Sequence, residues 1–299
     1  MEKAKLTRFG TVLVVGCAVM TVVALVRSFW FIAAMYLVAG LWFLYETVKM
    51  RSSISEDESE YEEESEESGE LDESWELKEI APNIFLQTCG NNYDLAMRFL
   101  RYQEFYESPN ADFRGQAFTL TDFMDWYSKD NDLYFSYPYD WNGFNLPGQV
   151  FRELTKKKIP DWNQYDEAMH DVVQSIREKV DGDDPDHFYL IGALIGDEET
   201  IDHELAHAFY HIFPKYKREM DEALAGLYHM HKRVLSSTLE GMGYTPKVHN
   251  DELQAYFSTG LCEELETAVA KHQMMPDAET LCEPFETIFA KWQNFYIES

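Results

Sequence analysis

The chain has 299 residues, 45% hydrophobic and 15% aromatic, enough for one large or two small domains with a sizeable core. Its formal net charge of -29 disfavours nucleic acid as a partner, because phosphate recognition needs clustered Lys and Arg and no basic stripe is present. The charge is uneven: residues 1–51 sum to +4, residues 56–79 to -13 and residues 80–299 to -20.

Phe9 to Val26 is a run of 18 residues without a charge, and Phe29 to Tyr45 is another of 17, separated by Arg27-Ser28. Each is near the lower limit for crossing a hydrocarbon core of about 30 Å. The spacing predicts a transmembrane hairpin over residues 1–51, with spans at 9–26 and 29–45. Lys3, Lys5 and Arg8 precede the first run and Lys49 and Arg51 follow the second. The positive-inside tendency then predicts a two-pass integral membrane protein, touching lipid through residues 9–45, with both termini and the following domain cytoplasmic. A cleavable signal peptide does not account for the second apolar run. Cys17, Cys89, Cys262 and Cys282 form no C-x-x-C pair and no disulfide framework, which fits reduced thiols.

Residues 52–79 are dominated by Glu and Ser, with Tyr61, Leu71, Trp75 and Leu77 as the few large hydrophobes. Like charges at this density repel and little apolar surface offsets chain entropy, so a disordered acidic tether is expected. Residues 80–299 have globular composition. Apolar residues at helical spacing predict helices over 92–106 and 119–127, the second capped by Thr121. Residues 130–148, rich in Tyr, Trp, Asn, Pro and Gly, read as turns and short strands. Tyr134, Tyr137, Tyr139 and Trp141 there are expected to be packing anchors. An amphipathic helix is expected over 161–180. The following Asp181-Gly-Asp-Asp-Pro-Asp186 departs from the EF-hand pattern and reads as a solvated turn.

Phe188 to Ile195 is a short apolar run suited to a strand, broken by Gly196, and the next helix carries His203-Glu-Leu-Ala-His207 until Pro214 stops it. Residues four apart share a helix face about 6 Å apart along the axis, so both imidazoles can reach one ion. Glu204 then stands where it can act as general base on a water at that ion. Strand, turn and H-E-x-x-H helix is the context of a zincin. His211 lies about 12 Å along the axis from His203, too far to share the ion. The metzincin extension is excluded, because Tyr210 and Phe213 stand where Gly and His are required.

Pro214 to Glu240 is predicted helical, ended by Gly241-Met-Gly243, with His229 and His231 in packing or surface roles. Asn250 or Asp251 is expected to cap a helix that carries Glu252 in its first turn and runs to about Lys271. A zinc site of this type needs a third protein ligand, and Glu252 is the candidate, with Asp251 in reserve. A final helix over about 277–296 closes the core.

His203-Glu-Leu-Ala-His207 followed by Asn250-Asp-Glu-Leu-Gln-Ala-Tyr256 resembles gluzincin-type metallopeptidases, in which two His on one helix and a Glu on a later one hold zinc. The likeness is nearest to a group of small, uncharacterised phage and bacterial proteins, and extends to the tracts 113–127 and 140–145 and to roughly residues 89–290. It implies His203, His207 and Glu252 as ligands of a zinc ion and Glu204 as base. Tyr256 departs from the pattern, standing where many gluzincins carry Asp or Asn, and its hydroxyl could instead stabilise an oxyanion. The fold class expected is α+β, mainly α: a zincin-like domain with a short strand before the H-E-x-x-H helix, preceded by the hairpin. The function expected is membrane-anchored zinc-dependent hydrolysis of a peptide or protein substrate. The alternative is a non-catalytic, membrane-tethered binding protein on the same scaffold.

Overall fold

The structure is a computed structural model that describes residues 74–130, 134–180, 182–272 and 276–296. The chain divides into two units, Met1–Leu71 and Asp72–Ser299, and everything described falls in the second. In order, its elements are β1 (Glu76–Ala81), β2 (Ile84–Cys89), α1 (Asn92–Glu107), α2 (Leu120–Tyr127), α3 (Tyr137–Asp140), β3 (Gly143–Pro147), α4 (Gly148–Thr155), α5 (Gln164–Arg177), β4 (Tyr189–Leu194), α6 (Glu198–Ile212), α7 (Pro214–Gly226), α8 (His229–Gly241), α9 (His249–Thr259), α10 (Glu263–Lys271) and α11 (Ala278–Tyr296). The class is α+β, mainly α, with one small mixed sheet.

The sheet order is β1-β2-β4-β3, with β2 and β4 parallel and the outer pairings antiparallel. Side chains alternate across a strand, and here the alternation separates two cores. Ile84, Tyr189 and Ile191 face the cluster built from α6, α7, α9 and α11, which includes Leu205, Phe209, Tyr216, Phe257 and Phe285. Phe85, Leu190, Phe144 and Leu146 face the opposite cluster of α1, α4 and α5, with Phe99, Tyr102, Phe151 and Met169. Each fully buried aromatic or aliphatic side chain contributes about 1.5–3 kcal/mol. β4 is apolar on both faces because it lies inside the sheet with helices on either side.

The expected two-pass membrane localisation is corrected here. Among the described residues no helix is long and apolar enough to cross a membrane. The longest, α11, has 19 residues but carries Glu279, Glu283, Glu286 and Lys291. The runs at 9–26 and 29–45, and the tether up to residue 73, lie outside the described residues.

Order begins before residue 80. Trp75 and Leu77 alternate with charged residues and pack against the α1 core, so that the end of the acidic stretch becomes β1. The guanidinium of Arg98 lies 3.6 Å from the centre of the Trp75 ring. Pro214 to Glu240 is two helices, because the chain extends after Gly226 at Leu227 and Tyr228, with ψ of 140° and 138°. His249 to Lys271 is likewise two, split at Gly260, whose φ of 126° favours glycine. Tyr137 is a buried anchor, whereas Tyr134, Tyr139 and Trp141 are exposed.

Candidate metal centre

The α6 helix starts where Gly196, at φ 83°, turns the chain out of β4 and Asp197 caps it. Asp197 accepts hydrogen bonds from the backbone N–H of Thr200 at 3.2 Å and from its hydroxyl at 2.7 Å. The next turn carries His203 and His207 on one face, with ring centres 5.0 Å apart. Ala206 and Ala208 are fully buried on α6, as is Ala255 on α9. Side chains this small let the two helices pack closely.

That packing brings the first turn of α9 to the histidines. One donor atom from each of His203, His207 and Glu252 lies within 4.8 Å of the others. Glu252 Oε2 is 3.9 Å from His207 Nε2. Asp251 does something different: its Oδ1 is 2.9 Å from His207 Nδ1. His203 Nδ1 similarly meets Thr259 Oγ1 at 3.2 Å. Both rings thus have Nδ1 engaged and Nε2 left for an ion, which is how outer partners orient metal-binding imidazoles. Asn250 and Asp251 do not cap the helix as expected; the cap position is Val248, and Asp251 lies inside the first turn.

Gln254 holds this arrangement together. It is fully buried, donates to the Ala206 carbonyl at 3.2 Å and to Asp251 at 3.1 Å, and accepts from the Tyr216 hydroxyl at 3.0 Å. Replacing Asp251 by Asn is expected to lower metal affinity about 10–100-fold, the usual effect of losing an outer partner, as measured by competition with a chromogenic chelator.

Glu204 faces the third wall of the site, β3. Phe144 and Leu146 point into the core, so Gly143 and Asn145 point to α6. Asn145 Nδ2 donates to Glu204 Oε2, and Tyr189 donates from its hydroxyl to Asn145 Oδ1 at 2.6 Å. A Cβ on Gly143 would lie 2.4 Å from Thr200 Cγ2 and 2.9 Å from Glu204 Oε1. Gly143→Ala is therefore expected to cost about 1–3 kcal/mol in urea unfolding, as overpacking does.

The electrostatics are those of a buried acidic site. Burial raises the Glu204 carboxyl above its ordinary range, with His207 and Asn145 opposing and Asp251 adding to the shift. Burial also pushes Glu252 up to about 7, opposed by His207 and reinforced by Asp251, Glu107 and Glu204. His203 is lowered to about 3, first by burial and then by His207. Burial would lower His207 as well, but Asp251, Glu252 and Glu204 override it and hold the ring up to about 10. Among the described residues no Lys or Arg forms an ion pair with Glu204, Asp251 or Glu252. Two imidazoles, a carboxylate and surplus negative charge fit a divalent cation, with a donor set suited to zinc.

Four further residues belong to the site. Tyr256 lays its ring 4.8 Å from that of His203, and its hydroxyl is 3.2 Å from the Tyr244 hydroxyl. Asn145 was traceable in sequence only through the alternation of β3. Tyr244 and Glu107 carried no local signal. His211 stays apart from the group, its ring 5.2 Å from Tyr189. A second set of possible donors, Glu167, His170 and Asp171, sits on the outer face of α5. There Glu167 already accepts from Trp162 Nε1 at 2.7 Å. Comparison of the chain with family models, curated proteins and solved structures gives no match.

Proposed function

We propose that the protein is a zinc-dependent hydrolase of peptide bonds. The observation that carries this reading is the convergence of His203, His207 and Glu252 from two helices, with ligand atoms within 4.8 Å of one another, beside a buried Glu204. When bound, zinc supplies Lewis-acid polarisation and a more acidic water. Glu204 takes the proton from the attacking water and returns it to the leaving amine. Burial raises its carboxyl above the ordinary range, the direction that makes a carboxylate a stronger base. Asn145, itself held by Tyr189, fixes the carboxylate of Glu204 and leaves the other oxygen for the proton.

Tyr244 and Tyr256 offer neutral O–H donors to the carbonyl oxygen as negative charge develops there. Burial keeps both protonated, pushing Tyr256 up to about 12 and Tyr244 higher still. Asp251 and Thr259 orient the two imidazoles. The test is metal analysis of the purified full chain followed by mass-spectrometric screening of a peptide library. About one zinc per chain with new peptide termini supports the reading. Absence of bound zinc, or zinc without cleavage of any peptide, overturns it.

A further inference from the structure

His207 is held from two sides by one other side chain. Gln254 Nε2 donates to the carbonyl of Ala206, the residue before His207 in α6, at 3.2 Å, and to Asp251 Oδ1 at 3.1 Å. The same Asp251 oxygen lies 2.9 Å from His207 Nδ1. The carboxamide thus ties the backbone that carries the imidazole to the carboxylate that meets its ring. Gln254 is fully buried, and it follows Asp251 by three residues, so both lie on one face of α9.

Only one orientation of this amide satisfies its surroundings. Ala206 and Asp251 both present oxygens and need donors, so Nε2 faces them and Oε1 accepts from the Tyr216 hydroxyl at 3.0 Å. Turning the amide over would set Oε1 against two other acceptors. Tyr216, fully buried on α7, therefore supplies the remaining partner from an element that carries no ligand. Asp251 depends on this support. Its side chain is 32% exposed, against 6% for that of His207, so without the Gln254 N–H it is free to turn out to water.

Packing alone does not call for a carboxamide at position 254. Its chain neighbours Leu253 and Ala255, and Phe257 beyond them, are apolar and buried. A buried amide costs free energy unless its polar atoms are met. A buried network that is met throughout fixes one arrangement of its members. We infer that Gln254 is a positioning residue for the metal centre: oriented by Tyr216, it holds Asp251 and the α6 backbone so that His207 presents Nε2 beside Glu252. Tyr216 acts through Gln254 and Asp251, not on the ion. This inference deepens the proposed hydrolase reading and rests on it for the presence of a metal ion.

The test uses the full chain and three variants. Gln254→Met keeps the length of the side chain and loses both donors, and Tyr216→Phe keeps the ring and loses the hydroxyl. Val173→Ala, on α5 in the core across the sheet, is the control for a simple loss of stability. Zinc affinity is measured by competition with a chromogenic chelator, and the visible absorption of the cobalt-loaded protein reports how the ligands are arranged around the ion. Gln254→Met is expected to weaken zinc binding about 10–100-fold and to shift the cobalt bands. Tyr216→Phe should change both in the same direction by less. At saturating zinc, Gln254→Met should lower kcat about tenfold with KM little changed, because a misplaced ion acts on the chemical step. Val173→Ala should lower Tm and leave affinity and spectrum in place.

Unchanged affinity and spectrum in both site variants overturn this inference and leave the hydrolase reading standing. Altered affinity and spectrum in a protein that cleaves no peptide support this inference and overturn that reading. An equal change in Val173→Ala overturns the inference, by reducing Gln254 to a contribution to stability. A wild-type chain that binds neither metal overturns both. Should Gln254→Met fail to fold, Tyr216→Phe carries the same comparison.

Discussion

Glu204→Gln is expected to lower peptide turnover about 10²–10⁴-fold, the range for removing a general base, while the zinc content of the protein stays unchanged. The substitution preserves shape. Gln retains a carbonyl oxygen that can accept from Asn145 Nδ2, as Glu204 does, and adds no heavy atom near Gly143. It removes the one property the proposed role needs, an oxygen that can take up a proton. Glu204 is not among the three ligand residues, so its loss should spare the metal. Single-turnover kinetics with parallel metal analysis separates the two effects. Full turnover in the variant rules out Glu204 as base, and loss of zinc would show that the carboxylate serves the ion instead.

Metal removal should have the second-largest effect, on stability as well as activity. Burial pushes the Glu252 carboxyl up and the neighbouring Asp251, Glu107 and Glu204 add to that shift, and a dication relieves the repulsion. With free zinc at a thousandfold excess over Kd, binding stabilises the folded chain by about 4 kcal/mol. Chelation should therefore lower Tm, and His207→Ala or Glu252→Ala should abolish the difference between chelated and zinc-loaded samples. The chelated protein should also respond to pH. Glu252 moves from an ordinary 4.5 to about 7 in the fold, so between these values the folded state holds more protons than the unfolded one. Stability present below about pH 4.5 is then lost as pH rises through 7. Urea unfolding of the chelated protein at pH 5 and pH 7.5 measures this. A midpoint that rises with pH would contradict the assignment of Glu252 to the buried cluster.

The part of the site legible in sequence is the part set by local geometry. His203 and His207 share a face because a helix repeats every 3.6 residues, whatever packs on it. The strand and turn before them, the stop at Pro214 and the amphipathic stripes of α1 and α5 are equally local. The helix breaks at Gly226 and Gly260 were harder to read. Apolar spacing continues across both points, and only the backbone at Leu227 and Gly260 shows where the chain turns. β1 was hidden for a different reason. Fourteen acidic residues over 56–79 obscure an alternation that becomes a strand only when β2 pairs with it.

The residues that complete the centre depend on contacts between distant segments. Asp251 and Glu252 are neighbours in the first turn of α9, and composition cannot tell which carboxylate approaches His207 Nε2 and which pairs with its Nδ1. Docking of α9 on α6 through Ala206, Ala208, Ala255 and Gln254 decides it. Asn145 reaches Glu204 because β3 is the outer strand paired to β4. The sequence by itself therefore determined the shared face of His203 and His207 on one helix and the class α+β, mainly α, both products of short-range periodicity. The partner helix's register and the neighbour of Glu204 were decided by tertiary packing, because each depends on which distant side chains share a small buried volume.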